Sequence, residues 1–163
     1  MELKNKIAVV TGVSKGVGLE VVKQLLEKGT IVAGWGRTAP DLRHENFHFF
    51  SCDVSREDQV EKAYSATVQK LGEDIRILVN NAGVGAVMPL LGSPVDDMED
   101  MITLNVTALM RLAYAFGRRE CGSRYRWTGV LLGMLGSLVT IFVFSDGQQR
   151  LPSVAAGSRV HGA

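Results

Sequence analysis

Residues 7–18 read IAVVTGVSKGVG. The first four are apolar and mostly β-branched, and the loop that follows contains three glycines. The run at 7–10 suits a buried parallel strand. After the loop, apolar residues recur at the spacing of one helix face. A strand that turns through glycines into a helix lets backbone N–H groups approach an anion and adds the positive end of the helix dipole. The stretch therefore predicts a phosphate-binding turn.

Strand-like runs recur along the chain up to about residue 117. After the first one, they lie at 31–35, 47–52 and 75–79. Helix-like spacing appears between these runs, and Gly29 is placed to end the first helix. Strands that alternate with helices predict an α/β fold with a doubly wound parallel sheet.

Two further helices are predicted from capping and spacing. Ser55 with Asp58 three positions later resembles a capping box, which would open a helix that runs to about Leu71. A later helix is predicted over 98–116, because apolar residues recur there every four positions: Ile102, Val106, Met110 and Tyr114.

Composition places the chain among globular proteins. Of its 163 residues, 46% are hydrophobic and 21% are charged, and the net charge of +1 gives no sign of nucleic-acid binding. Cys52 and Cys121 form no disulfide framework, and charges interrupt the N-terminal apolar run. These features favour a cytoplasmic protein. No metal site is predicted, because His44 and His48 lack a carboxylate partner at metal-ligand spacing.

Four motifs over residues 1–117 resemble those of the short-chain dehydrogenase/reductase family. The family pattern Thr-Gly-x-x-x-Gly-x-Gly matches 11–18, and Asn-Asn-Ala-Gly matches 80–83. Asp53-Val54 matches the pair that follows the third strand and touches adenine, and Asn105 matches the asparagine of the central helix. The resemblance implies a Rossmann-type doubly wound parallel sheet, incomplete at its C-terminal side.

The resemblance also implies a function and a set of site residues. Members of the family transfer a hydride between NAD(P)(H) and a small-molecule carbonyl or alcohol. The cofactor-binding positions predicted from the matched motifs are Gly12, Ser14, Gly16, Val17, Gly18, Asp53, Val54, Asn81, Ala82 and Gly83, and the charge pattern adds Lys15 and Arg37. A homo-oligomer stays open, because the helices that pair subunits in the family are only partly represented.

The charges near the second strand favour NADP(H) over NAD(H). An NAD site usually places a carboxylate at the end of that strand, for the ribose hydroxyls. Here the strand leads into Trp35-Gly36-Arg37, and Lys15 lies in the glycine loop. Two cations without a carboxylate suit a 2′-phosphate. The alternative is that both are solvated charges and the cofactor is NAD(H).

The catalytic residues are incomplete. The family uses a tyrosine with a lysine four positions later, but the residues four positions after Tyr64, Tyr114 and Tyr125 are Val68, Arg118 and Gly129. Two candidates remain. Asn105 would hold a water in the proton relay, and Ser137 follows an apolar run like the family's fifth strand, unless it is a chance serine. We expect little or no turnover; the alternative is a non-catalytic NADP(H)-binding or regulatory module.

The composition changes near residue 117. Residues 118–163 hold six arginines, two acidic residues and no lysine, whereas all seven lysines precede residue 71. We interpret 1–117 as the NAD(P)-binding domain and 118–163 as a degenerate or out-of-frame tail of a shortened enzyme, with a selected C-terminus as the alternative. The uncharged run at 127–144 favours a remnant strand over a membrane span, although a membrane-tethered protein remains the alternative.

Overall fold

The first four strands lie in a parallel sheet. The computed structural model describes the backbone of residues 2–84, 94–120, 125–134 and 137–146, and the side chains of 2–84 and 94–117. The strands are β1 Ile7–Thr11, β2 Ile31–Gly36, β3 Phe47–Ser51 and β4 Ile75–Asn80. Each predicted strand forms within one residue of its expected bounds. The apolar runs of β1, β2 and β4 are buried, whereas β3 is half-buried at the edge of the sheet.

α1 Gly16–Glu27 follows β1 and α2 Glu57–Leu71 follows β3, whereas β2 leads to β3 without a helix. Gly29 ends α1 as predicted: its φ is +73°, and its N–H donates to the Leu26 carbonyl at 2.9 Å. After β4, the chain forms α3 Val95–Ile102, a π-helical turn Thr103–Thr107 and α4 Ala108–Glu120. The single helix expected over 98–116 is therefore interrupted by a π-helical turn.

The predicted capping box of α2 does not form. The helix begins at Glu57, and its N-cap is Arg56, which makes no side-chain capping hydrogen bond. Ser55 instead turns back, and its hydroxyl donates to Asp53 Oδ1 at 2.7 Å. A short carboxylate acceptor two residues away competes successfully with the helix N–H groups for this hydroxyl.

Both faces of the sheet are covered. Alternate strand residues point to opposite faces, so Val9 and Trp35 join α2 and α4 on one side, whereas Val10 and Val32 join α1 on the other. Trp35 is fully buried, and its indole N–H donates to Thr67 Oγ1 at 3.0 Å. These two clusters make the fold doubly wound, as predicted.

The apolar residues whose spacing predicted the helix over 98–116 are exposed. Ile102, Val106, Met110 and Tyr114 are between 44% and 64% exposed, whereas Ala108, Leu112 and Phe116 are 1–2% exposed. Both sets repeat every four residues, so spacing alone does not say which set faces the sheet. The buried set is the one that reaches Trp35 and Tyr64, with ring centroids 5.8 and 5.2 Å from that of Phe116.

Two antiparallel strands complete the sheet beside β4. They are β5 Tyr125–Met134 and β6 Ser137–Asp146, and the strand order is β3-β2-β1-β4-β6-β5. β6 pairs antiparallel with β4, and β5 pairs with β6. The run expected to resemble a parallel fifth strand thus forms a strand that is not next to β4. No helix in the described part of the chain is long and apolar enough to cross a membrane.

Candidate dinucleotide-binding site

Two glycines of the loop between β1 and α1 lie against neighbouring backbone, and the third faces open space. A Cβ on Gly12 would lie 2.8 Å from Ala82 Cα, and one on Gly18 would collide with the Gly12 carbonyl oxygen. A Cβ on Gly16 would meet nothing within 4 Å. Gly12 and Gly18 therefore let the backbone segments pack together, while Gly16 leaves space at the first residue of α1.

Thr11 and Asn81 join the two sequence motifs into one unit. The Thr11 hydroxyl accepts the N–H groups of Asn81 and Ala82, both at 3.0 Å, and donates to the Val79 carbonyl at 3.3 Å. The Asn81 side-chain amide donates to the carbonyls of Thr11 at 3.0 Å and Gly12 at 3.1 Å. The glycine loop is thus fixed to the carboxyl end of β4.

Asn105 fixes the segment that follows this junction. It lies in the π-helical turn, and its Oδ1 accepts the Val84 N–H at 2.9 Å while its Nδ2 donates to the Val84 carbonyl at 2.7 Å. A Cβ on Gly83 would lie 2.9 Å from Asn105 Oδ1, so a glycine is needed for this approach. The geometry makes Asn105 a positioning residue for 83–84, a contact that sequence reasoning did not identify.

Asp53 and Arg37 lie at the same edge of the sheet, after β3 and β2. Burial works to raise the pKa of Asp53, but two hydrogen bonds from Ser55 and the charges of Arg37 and Arg56 lower it overall. The carboxylate is therefore ionised at neutral pH and available as an acceptor. Arg37 and Lys15 are both exposed at this carboxyl edge, where ligands of open α/β sheets bind.

The other predicted positions divide between exposed and packed residues. Ser14 and Val17 lie exposed beside Gly16, whereas Val54 is 6% exposed and belongs to the core. Val54 can offer a ligand only its backbone. No group of three or more histidine, cysteine, aspartate or glutamate side chains in the described ranges could hold a metal ion.

Ser137 begins β6, and its side chain lies outside the described residues. In the antiparallel register Asn80 faces Thr140, so residue 137 lies three positions beyond the carboxyl end of β4. The backbone therefore places Ser137 at the same edge of the sheet as Asn81 and the glycine loop.

Comparisons with known proteins agree with this arrangement. The family model of short chain dehydrogenases matches residues 6–120. Farnesol dehydrogenase of Aedes aegypti is 31% identical over 116 residues, which are 64% of this chain and 47% of that protein. The 3alpha-hydroxysteroid dehydrogenase of Mediterraneibacter gnavus is 30% identical over 156 residues, which cover 87% of this chain and 59% of that protein.

Solved structures show the same fold. A short chain dehydrogenase from Leptospira borgpetersenii with bound NAD+ superposes with a TM-score of 0.68 at 18% identity, over 73% of this chain and 47% of that one. The ligand-free aldohexose dehydrogenase of Thermoplasma acidophilum gives a TM-score of 0.62 at 24% identity, over 71% and 43% of the two chains. The chain spans about half the length of the curated relatives it matches. With the glycine loop joined to Asn-Asn-Ala-Gly through Thr11, and with the family model matched over 6–120, this chain belongs to the short-chain dehydrogenase family.

Proposed function

We propose that the chain provides the cofactor-binding half of an NAD(P)(H)-dependent oxidoreductase that acts on a small carbonyl or alcohol, and that it acts in the cytoplasm. One observation carries the proposal. Thr11 and Asn81 tie the glycine loop to β4, while Gly16 leaves open space at the start of α1. A rigid loop with an open glycine fits a pyrophosphate.

The N-terminus of α1 supplies the phosphate donors in this proposal. The first N–H groups of a helix have no partner within the helix, and no side chain caps them here, because Lys15 at the N-cap makes no capping bond. Residues 14–18 would therefore present backbone N–H groups to the two phosphates. The cofactor, when bound, supplies the hydride.

Arg37 and Lys15 favour NADP(H) in this proposal. β2 ends at Gly36, Trp35 is buried in the core, and no carboxylate follows at 36–38 to bind ribose hydroxyls. An exposed arginine is instead available to form charge-assisted hydrogen bonds to a 2′-phosphate. The two cations support a preference for NADP(H), and the ratio of the affinities for NADPH and NADH tests that preference.

Proton transfer is the step for which this chain lacks the family's pair of a tyrosine and a lysine four residues later. Reduction of a carbonyl needs a proton on the oxygen as well as a hydride on the carbon. None of the three tyrosines has a lysine four residues later. The Asn105 side-chain amide already donates to the Val84 carbonyl. Ser137 could orient a substrate oxygen, but a serine hydroxyl is a poor acid at neutral pH. We therefore propose that the chain binds cofactor with little or no turnover.

Calorimetric titration of the full chain with NADPH and NADH tests the cofactor proposal. NADPH should bind more tightly, and Arg37→Ala should weaken NADPH by roughly tenfold while changing NADH less than about twofold, since it removes one charged hydrogen bond. Arg43→Ala, at another exposed arginine, is the control. Equal affinities for both cofactors in the original chain would refute the NADP(H) preference, and no binding of either would refute the function.

A further inference from the structure

Strand β5 forms one edge of the sheet. The strand order places it last, and its pairing partner in the described part of the chain is β6 alone. Along such an edge, every second residue directs its backbone N–H and C=O groups away from the sheet. Over the length of Tyr125–Met134, about five residues therefore offer main-chain groups to a further strand.

The sequence and the register of β5 lack the features that commonly block an edge strand. Natural edges use lysine, proline or a β-bulge to prevent pairing with another chain. β5 contains no lysine, proline or acidic residue, and its one charged residue is Arg126. Its pairing with β6 runs without a register shift from Tyr125 to Met134, so no bulge twists the edge away. Another strand can therefore extend the sheet at β5.

The charge of Arg126 favours antiparallel pairing of β5 with its own copy. In a parallel, in-register pair the two arginines would lie side by side, about 4.8 Å apart, and like charges placed opposite each other destabilise a sheet. An antiparallel pair centred on residue 129 or 130 places the two arginines roughly 20 Å or more apart, where salt screens them. The residue opposite Arg126 is then Leu132 or Met134, both uncharged.

The other edge of the sheet is a poorer partner for β5. β3 has five residues, whereas β5 has ten, so a contact between β5 and the β3 of another copy would leave half of β5 unpaired. Such a head-to-tail contact would also repeat from copy to copy as an open filament. A contact between two β5 strands pairs nearly the whole strand and closes after two copies.

We propose that two copies of this chain associate through their β5 strands, which pair antiparallel across a twofold axis and join two six-stranded sheets into one. β6 lies between β5 and β4, so the contact does not use the strands that carry the dinucleotide-binding site. The association is therefore expected without cofactor.

Sedimentation equilibrium of the full chain without cofactor measures this association. The original chain should form dimers at micromolar concentration. Val130→Lys places two lysines close together at the centre of the contact and should raise the dimer dissociation constant by roughly tenfold or more. Met110→Lys, on the exposed side of α4, is the control and should leave this constant unchanged. Thermal unfolding followed by circular dichroism checks that both variants fold.

Disulfide cross-linking in a Cys121→Ser background tests the direction of pairing and adds no charge, so it decides the matter even if Val130→Lys does not fold. Around a twofold axis only the central residue lies opposite its own copy. Either Gly129→Cys or Val130→Cys should therefore link two copies, whereas Met134→Cys, roughly 26 Å or more from its copy, should not.

The outcomes separate this contact from other modes of association. A dimer that Val130→Lys weakens and that a central cysteine cross-links supports the proposal. A chain that stays monomeric overturns it, and so does a dimer that Met110→Lys weakens while Val130→Lys does not, because the contact then lies on α4. Equal cross-linking at residue 134, or growth into particles larger than dimers, would indicate parallel or open-ended pairing and would also overturn it.

Discussion

Thr11 shows how much of the site depends on one side chain. Its hydroxyl accepts two N–H groups at the end of β4 and donates to a third residue, and it is 0% exposed. A buried hydroxyl with three partners fixes the relative position of two strand ends. Sequence reasoning placed Thr11 in the motif but gave it no role, because a pattern of residue types does not state which atoms will bond across 70 positions.

Glycine substitutions should separate the packed from the open positions of the loop. Gly18→Ala would place a methyl group against the Gly12 carbonyl, and we expect a loss of about 2 kcal/mol in the free energy of unfolding. In Gly16→Ala the added methyl group meets no other atom, so only the backbone φ of +63° is unfavourable. We expect a loss of about 1 kcal/mol in the free energy of unfolding. Urea unfolding measures both. A greater loss in Gly16→Ala would contradict the packing described for the loop.

Cys52 should be unreactive in the folded protein. Burial, with the Asp53 charge as a second cause, raises the pKa of its thiol to about 11. At pH 8 roughly one thiol in a thousand is ionised, and the thiolate is the form that reacts. In a Cys121→Ser background, iodoacetamide should label Cys52 only after guanidinium unfolding. Rapid labelling of the folded protein at pH 8 would contradict its burial.

The helices that follow β4 differ most from expectation. Strand positions were predictable because buried parallel strands read as apolar runs, and four such runs lie before residue 81. The four-residue spacing of apolar residues showed where a helix would form. Two apolar stripes of this helix have the same spacing, so the spacing did not show which one is buried. The aromatic partners of Phe116 come from β2 and α2. Such distant contacts decide which stripe is buried, and local sequence does not contain them.

Paired truncations on α4 test which stripe faces the sheet. Leu112 is 2% exposed and Met110 is 64% exposed, although the two are only two positions apart. Leu112→Ala should lower the free energy of unfolding by about 3 kcal/mol, since it leaves a cavity in the core. Met110→Ala should change it by less than about 0.5 kcal/mol. Comparable losses would mean that the helix is rotated from the orientation described here.

At the scale of the whole molecule, a four-stranded parallel sheet is extended by an antiparallel hairpin. An apolar run predicts a strand but does not specify its direction or neighbour, so the antiparallel pairing of β6 with β4 could not be read from the sequence. The reversal still brings Ser137 to the carboxyl edge. The four parallel strands of the family fold are thus present, and residue 137 lies at their carboxyl edge.

The most direct test of the central claim measures cofactor binding and turnover on the same preparation of the full chain. NADPH at one hundred times its dissociation constant should stabilise the folded state by about 2.7 kcal/mol, seen as a rise in the midpoint of thermal unfolding. Absorbance at 340 nm should stay constant when aldehydes and ketones are added. No thermal stabilisation would contradict the cofactor site, and steady NADPH oxidation that depends on added carbonyl would contradict binding without turnover.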